Sequence, residues 1–152
     1  MKPIGHLLRS AALALTLGAT AFGQLPTGFS NDLILGGFLA PVSLAFPAAD
    51  EILVCEQGGD IHIVDLAGQT PVSSHFLSIP DVQLEAERGL IAIVLDPNHA
   101  TNGWFYVYYY HGPTARFRVS RFTRFNDHAS PASEQIIWQD NTATQELSLI
   151  HI

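Results

Sequence analysis

One feature constrains this chain more than any other. A set of four short apolar runs separated by turns occurs twice, at an offset of fifty residues. In the first round the run 42–46 (VSLAF) ends at Pro47, and 52–56 (ILVCE) follows a turn at 48–51. Gly58 and Gly59 then turn the chain into 60–64 (DIHIV), and a turn at 68–71 leads to 72–77 (VSSHFL). In the second round 90–95 (LIAIVL) ends at Asp96 and Pro97, and 104–110 (WFYVYYY) follows Asn102 and Gly103. The runs 117–122 (FRVSRF) and 134–138 (EQIIW) complete it. Each run has strand length and is rich in β-branched or aromatic residues, while the gaps carry turn formers. Four strands in a period of about 50 residues is the size of one large propeller blade.

Short turns make each round an antiparallel meander. One such sheet cannot bury both of its faces, but sheets stacked around an axis bury them mutually. A two-sheet sandwich uses similar strands, and the repeat favours the propeller. The expected fold is all-β, with about two four-stranded blades present. The innermost strands, 42–46 and 90–95, are expected to be buried on both faces. Two blades do not close a ring, so an isolated chain of this kind should leave apolar faces bare and be poorly soluble.

Charge removes one class of function. Lys+Arg is 7 against 14 Asp+Glu, a formal net charge of −7. After Lys2 and Arg9 the basic residues are all arginine: Arg88, Arg116, Arg118, Arg121 and Arg124. Nucleic-acid binding needs a basic footprint, and an acidic chain opposes it. The arginines of 116–124 read as solvated strand edges, or else as a phosphate or partner patch. The tyrosines of 106–110 read as an aromatic layer between blades rather than a base-stacking platform. Cys55, in the apolar setting 52–55, reads as a buried, inert thiol.

The ends read differently from the middle. Lys2 and Arg9 precede the apolar stretch 11–19, and Ala21 and Gly23 put small residues at a cleavage site before Gln24. Residues 1–23 therefore read as a secretory signal peptide, too short to be a comfortable bilayer span. The protein is expected to be periplasmic or secreted, with no other transmembrane segment. The last six residues, 147–152 (LSLIHI), coincide with the read-through of a transposon-derived sequencing adapter. They are set aside from the fold, and residues 24–146 are read as a truncated domain.

The run 87–97 (ERGLIAIVLDP), followed by 100–109 (ATNGWFYVYY), resembles the signature of the soluble quinone-dependent glucose/sorbosone dehydrogenases. In that family an E-R-G-L-L-G-I-A-F-D-P run leads into a T-N-G-aromatic-aromatic-Y-V-Y-Y strand. Residues 53–61 (LVCEQGGDI), 25–29 (LPTGF), 37–42 (GFLAPV) and 118–122 (RVSRF) are similar to further family segments in the same order. The chain departs from the family at Ala92 and Val94, where Gly and Ala are usual. The resemblance implies a six-bladed propeller that binds pyrroloquinoline quinone and calcium and oxidises the C1 hydroxyl of aldose sugars. A His would act as general base while the quinone accepts the hydride and passes electrons to an acceptor.

The resemblance places that His in an H-x-G-G or H-x-S-G motif downstream of Trp138, and none of His62, His75, His99, His111 or His128 starts one. No catalytic, quinone-binding or metal-binding residue is therefore assigned within this chain. The histidines show no H-E-x-x-H spacing, and a single cysteine makes no C-x-x-C. One residue carries over. Glu87 stands where some members hold the sugar with Gln, and its carboxylate can accept a sugar hydroxyl's hydrogen bond. The competing reading of Glu87 is an exposed turn with Arg88, paired locally or solvated. A non-catalytic propeller used for adhesion or partner binding is the alternative for the whole, since fold does not fix function.

Overall fold

The computed structural model describes residues 26–67 and 72–141. The expected export signal, the expected turn at 68–71 and the tail hexapeptide lie outside the described residues. Residues 26–32 fall in a first unit, with a turn closed by the Phe29 N–H on the Pro26 carbonyl at 3.1 Å. The described residues from Leu33 onward form a second unit.

That unit consists of two antiparallel sheets. The first contains β1 (Pro41–Ala48), β2 (Glu51–Glu56), β3 (Asp60–Asp65) and β4 (Val72–Ser78), paired in chain order. The second contains β5 (Leu90–Leu95), β6 (Trp104–His111) and β7 (Arg116–Phe125), again in order. Beyond β7 lie a two-residue strand, β8 (His128–Ala129), and β9 (Gln135–Gln139), which pairs with β7 and completes the meander. A single helical turn, α1 (His99–Asn102), joins β5 to β6. The eight expected runs are thus strands of two propeller blades.

Register sorts the side chains by face. Ala45 pairs with Leu53, and Leu53 with Ile63, so all three share the face turned to the second sheet. From the second sheet Ile93, Val107, Phe105 and Phe122 meet them in one buried cluster. Phe76 lies 5.5 Å from Phe105, and Phe105 stacks 5.8 Å from Phe122. The repeat is also a spatial rule: the Ile93 N–H donates to the Ser43 Oγ at 3.3 Å, across the same offset of 50 residues.

Four expectations need correction. Neither expected inner strand is buried on both faces: in β1 Leu44 is 53% and Phe46 63% exposed and only Ala45 is buried, and in β5 Val94 is 62% exposed while Leu90 and Ile93 are buried. One face of β1 packs on β5, while the other opens onto a groove of about 740 Å³ lined by Val42, Leu44, Ile52, Val54, Phe38 and others. The better-buried strand is β2, which has a neighbour along each edge. The layer between the sheets is built from phenylalanines and Tyr109 rather than the whole tyrosine run, because alternation sends Tyr108 and Tyr110 to the other face, against Phe117.

The arginines of 116–124 are half-buried, not solvated. Arg116 and Arg118 donate to the Asp140 carbonyl (2.6 Å) and Gln139 Oε1 (2.7 Å), and Arg121 lies 3.9 Å over the Trp104 ring. Finally, β7 runs past the expected end at 122 and turns at Asn126, φ 52°, into the unforeseen β8. Asn tolerates that left-handed conformation.

Candidate functional site

Each sheet has two rims, and they differ in kind. One rim carries the turn between β5 and β6. Asp96 Oδ1 accepts from Asn102 Nδ2 and from the Asn98 N–H, both at 2.9 Å, and its Oδ2 accepts from the Tyr106 hydroxyl at 2.9 Å. These bonds, Asn102's first, hold the Asp96 carboxyl below its ordinary pKa. Asn102 Oδ1 in turn accepts from the Trp104 N–H at 2.8 Å. The D-P…T-N-G…Y spacing is therefore a self-contained turn. It shapes the strand entry and leaves its polar groups occupied.

The opposite rim carries Glu87. The segment 81–89 arrives from β4 and is strapped along the end of β6. The Gln83 N–H donates to the Tyr110 carbonyl (3.2 Å), and the Gly112 N–H donates to that of Asp81 (2.9 Å). The Tyr110 N–H donates to the Gly89 carbonyl at 2.9 Å. Within the segment a tight turn is closed by the Arg88 N–H on the Glu85 carbonyl at 2.8 Å, with Ala86 at φ 49°. Glu87 sits at this turn and is exposed. The Arg88 guanidinium reaches back to Glu85 at 2.7 Å and lies 4.7 Å over the Tyr110 ring. The local ion pair thus joins Arg88 to Glu85, three residues earlier, rather than to Glu87.

The first sheet holds this loop from the other side. Gln57, at the turn between β2 and β3, donates from Nε2 to the carbonyls of Ala86 (2.8 Å) and Arg88 (2.9 Å). Its own carbonyl accepts the Leu90 N–H at 2.8 Å. Contact is so close that a Cβ on Gly89, φ 130°, would stand 2.4 Å from that carbonyl oxygen. Only glycine meets both demands.

His111 borders the same rim. Its Nδ1 faces the Thr114 hydroxyl at 2.8 Å, and its Nε2 lies 3.9 Å from Asp81. Burial, and then the charge of Arg118, push its pKa below the ordinary histidine value. The ring is therefore neutral near pH 7. The other described histidines do not join it. His62 lies 3.5 Å from Glu56, His75 is bonded to Ser78, and His99 Nδ1 bonds the Trp104 carbonyl at 2.7 Å. His128 is exposed on β8. Cys55 is buried, and burial pushes its thiol up to about 12, which leaves it inert. Gln57 had no role assigned from the sequence, although it lies inside the E-Q-G-G turn of 56–59.

Comparison with known proteins bears on this arrangement. The family model described as Glucose / Sorbosone dehydrogenase matches residues 38–149. Among solved structures the chain is similar to the PQQ-bound form of aldose sugar dehydrogenase from Streptomyces coelicolor, with 21% identity and a TM-score of 0.59 over 70% of this chain and 32% of that one. A putative oxidoreductase (glucose dehydrogenase) from Thermus thermophilus gives 20% identity and 0.64 over 75% and 32%. The soluble aldose sugar dehydrogenase of Escherichia coli in its apo-form gives 20% and 0.57 over 68% and 30%. At these identities the likeness is one of fold, and the chain spans about a third of each of these proteins. No curated protein matches it in sequence.

Proposed function

The chain belongs to the glucose/sorbosone dehydrogenase family, and from that premise we propose that it is the opening part of an exported, quinone-dependent oxidoreductase acting on aldose sugars. In this reading the mature protein is periplasmic or secreted, and the complete propeller has six blades. Among the described residues no helix is long and apolar enough to cross a membrane.

The observation that carries the reading is the Glu87 loop. It presents an exposed carboxylate on a backbone fixed by both sheets. A carboxylate so placed can accept a hydrogen bond from a sugar hydroxyl without first ordering the chain beneath it. The departure from Gln to Glu removes a donor, so sugars are held here through their hydroxyl hydrogens alone.

Among the described residues, no three His, Cys, Asp or Glu side chains converge to hold a metal ion. Arg88, the cation beside Glu87, is engaged by Glu85 and the Tyr110 ring. The reading therefore routes no step through calcium or quinone on these residues and assigns the general base to sequence further on.

The test is dye reduction with pyrroloquinoline quinone, calcium and an aldose panel. It compares the 152-residue chain with the protein extended through its downstream coding sequence. Turnover in the extended protein and none in the short chain is the expected result. A folded, quinone-saturated extended protein that turns over no aldose would overturn the reading and favour a non-catalytic, partner-binding propeller.

A further inference from the structure

We infer that Gln57 is a positioning residue for Glu87, so that the first sheet sets where the sugar-facing carboxylate of the second sheet's loop stands. The inference rests on the reading of Glu87 as a sugar contact. Its evidence is separate, and lies in the bonds that cross from one sheet to the other.

The carboxamide of Gln57 donates both of its N–H groups to carbonyls on either side of one residue, those of Ala86 at 2.8 Å and Arg88 at 2.9 Å. Glu87 lies between them, so its Cα is held by a two-point clamp. Two backbone bonds fix the far end of the loop: Leu90 N–H to the Gln57 carbonyl at 2.8 Å, and Tyr110 N–H to the Gly89 carbonyl at 2.9 Å. The loop itself does not supply equivalent bonds. Its internal turn closes from Glu85 to Arg88 and leaves the carbonyls of Ala86 and Arg88 pointing at Gln57. A carboxylate on an unclamped exposed turn would sample many positions, and ordering it would weaken any sugar it met. The clamp depends on a residue 31 positions before Arg88, on the other blade. Any movement of one blade against the other therefore moves Glu87.

Gln57→Glu is the discriminating variant. It keeps the shape of the side chain and the backbone bond from Leu90, but at neutral pH it can only accept. Two carbonyls would then face a carboxylate.

The experiment is amide hydrogen exchange on the protein extended through its downstream coding sequence, wild type against Q57E, with and without saturating D-glucose. Exchange at Glu87, Arg88 and Gly89 is expected to quicken about tenfold, from the loss of two neutral hydrogen bonds, while β2 and β6 keep their wild-type rates. The mutant-to-wild-type ratio should return toward one below about pH 4.3, where the new Glu is protonated and donates again, a profile that a merely structural role would not produce. D-glucose should protect the loop amides of the wild type and lose that protection in Q57E. Unchanged loop exchange in Q57E, or equal acceleration through both sheets, overturns the positioning role and leaves the sugar reading standing. Loop acceleration with no D-glucose protection in the wild type overturns the sugar reading and leaves the clamp.

Discussion

The two sheets follow one plan of four strands, yet they hold their ends and faces in different ways. In the first sheet the β1–β2 and β2–β3 turns are short, and the outward face is bare: Leu44 and Phe46 stand more than half exposed beside an apolar groove. In the second sheet the β5–β6 turn is tied by Asp96, Asn102 and Tyr106, and the outward face carries Arg121 over Trp104 as well as an exposed Val94 (62%) and Trp138 (50%). The first sheet supplies a clamp and a packing surface. The second supplies the loop that meets solvent. A repeat therefore duplicates the scaffold without duplicating the task, because register fixes which face is buried and leaves the turns free to diverge.

The comparison is broken most severely at the shared core. Phe105 touches Phe76 of the first sheet and Phe122 of its own. Phe105→Ala is expected to cost about 4 kcal/mol of unfolding free energy by urea titration. A loss below about 1 kcal/mol would mean that the sheets fold without each other. Next comes Gly89→Ala, which puts a Cβ against the Gln57 carbonyl at a φ that disfavours it. It should cost about 3 kcal/mol and shift the Glu87 loop, read by exchange or proteolysis at Arg88. A loop that keeps its protection would show that the close approach is not required.

The ion pair between the sheets is smaller and depends on pH. Arg124 donates to Glu51 at 2.7 and 3.0 Å, and this bonding lowers the Glu51 pKa from 4.5 while raising that of Arg124. A depressed carboxyl pKa adds stability above the unfolded value, and that contribution fades as pH falls through the folded one. Glu51→Gln should therefore cost about 1 kcal/mol at pH 7, a difference that closes below pH 4.5. A gap that persists in acid would assign the loss to packing. The smallest effect is expected on the bare face. Leu44→Thr should change stability by less than about 0.5 kcal/mol and raise the solubility limit, measured by light scattering. A large destabilisation would show that something covers this face in solution.

Much of the fold was legible along the chain. Prolines and glycines punctuate eight runs of strand length, and the offset between Pro47 and Pro97 reappears as the contact between Ser43 and Ile93. Turn chemistry and period 2 alternation are local, so a sequence alone can determine them. The position of Glu87 in a turn was legible for the same reason. Its support by Gln57 was not, since nothing in the local pattern says which carbonyl a glutamine on another sheet will meet. Nor did alternation show that β1 would have an open face, that Arg88 would choose Glu85, or that the arginines of β7 would be tied rather than solvated. Those outcomes depend on how one sheet docks against the other, and docking is settled by the summed packing of both faces rather than by any one stretch of chain.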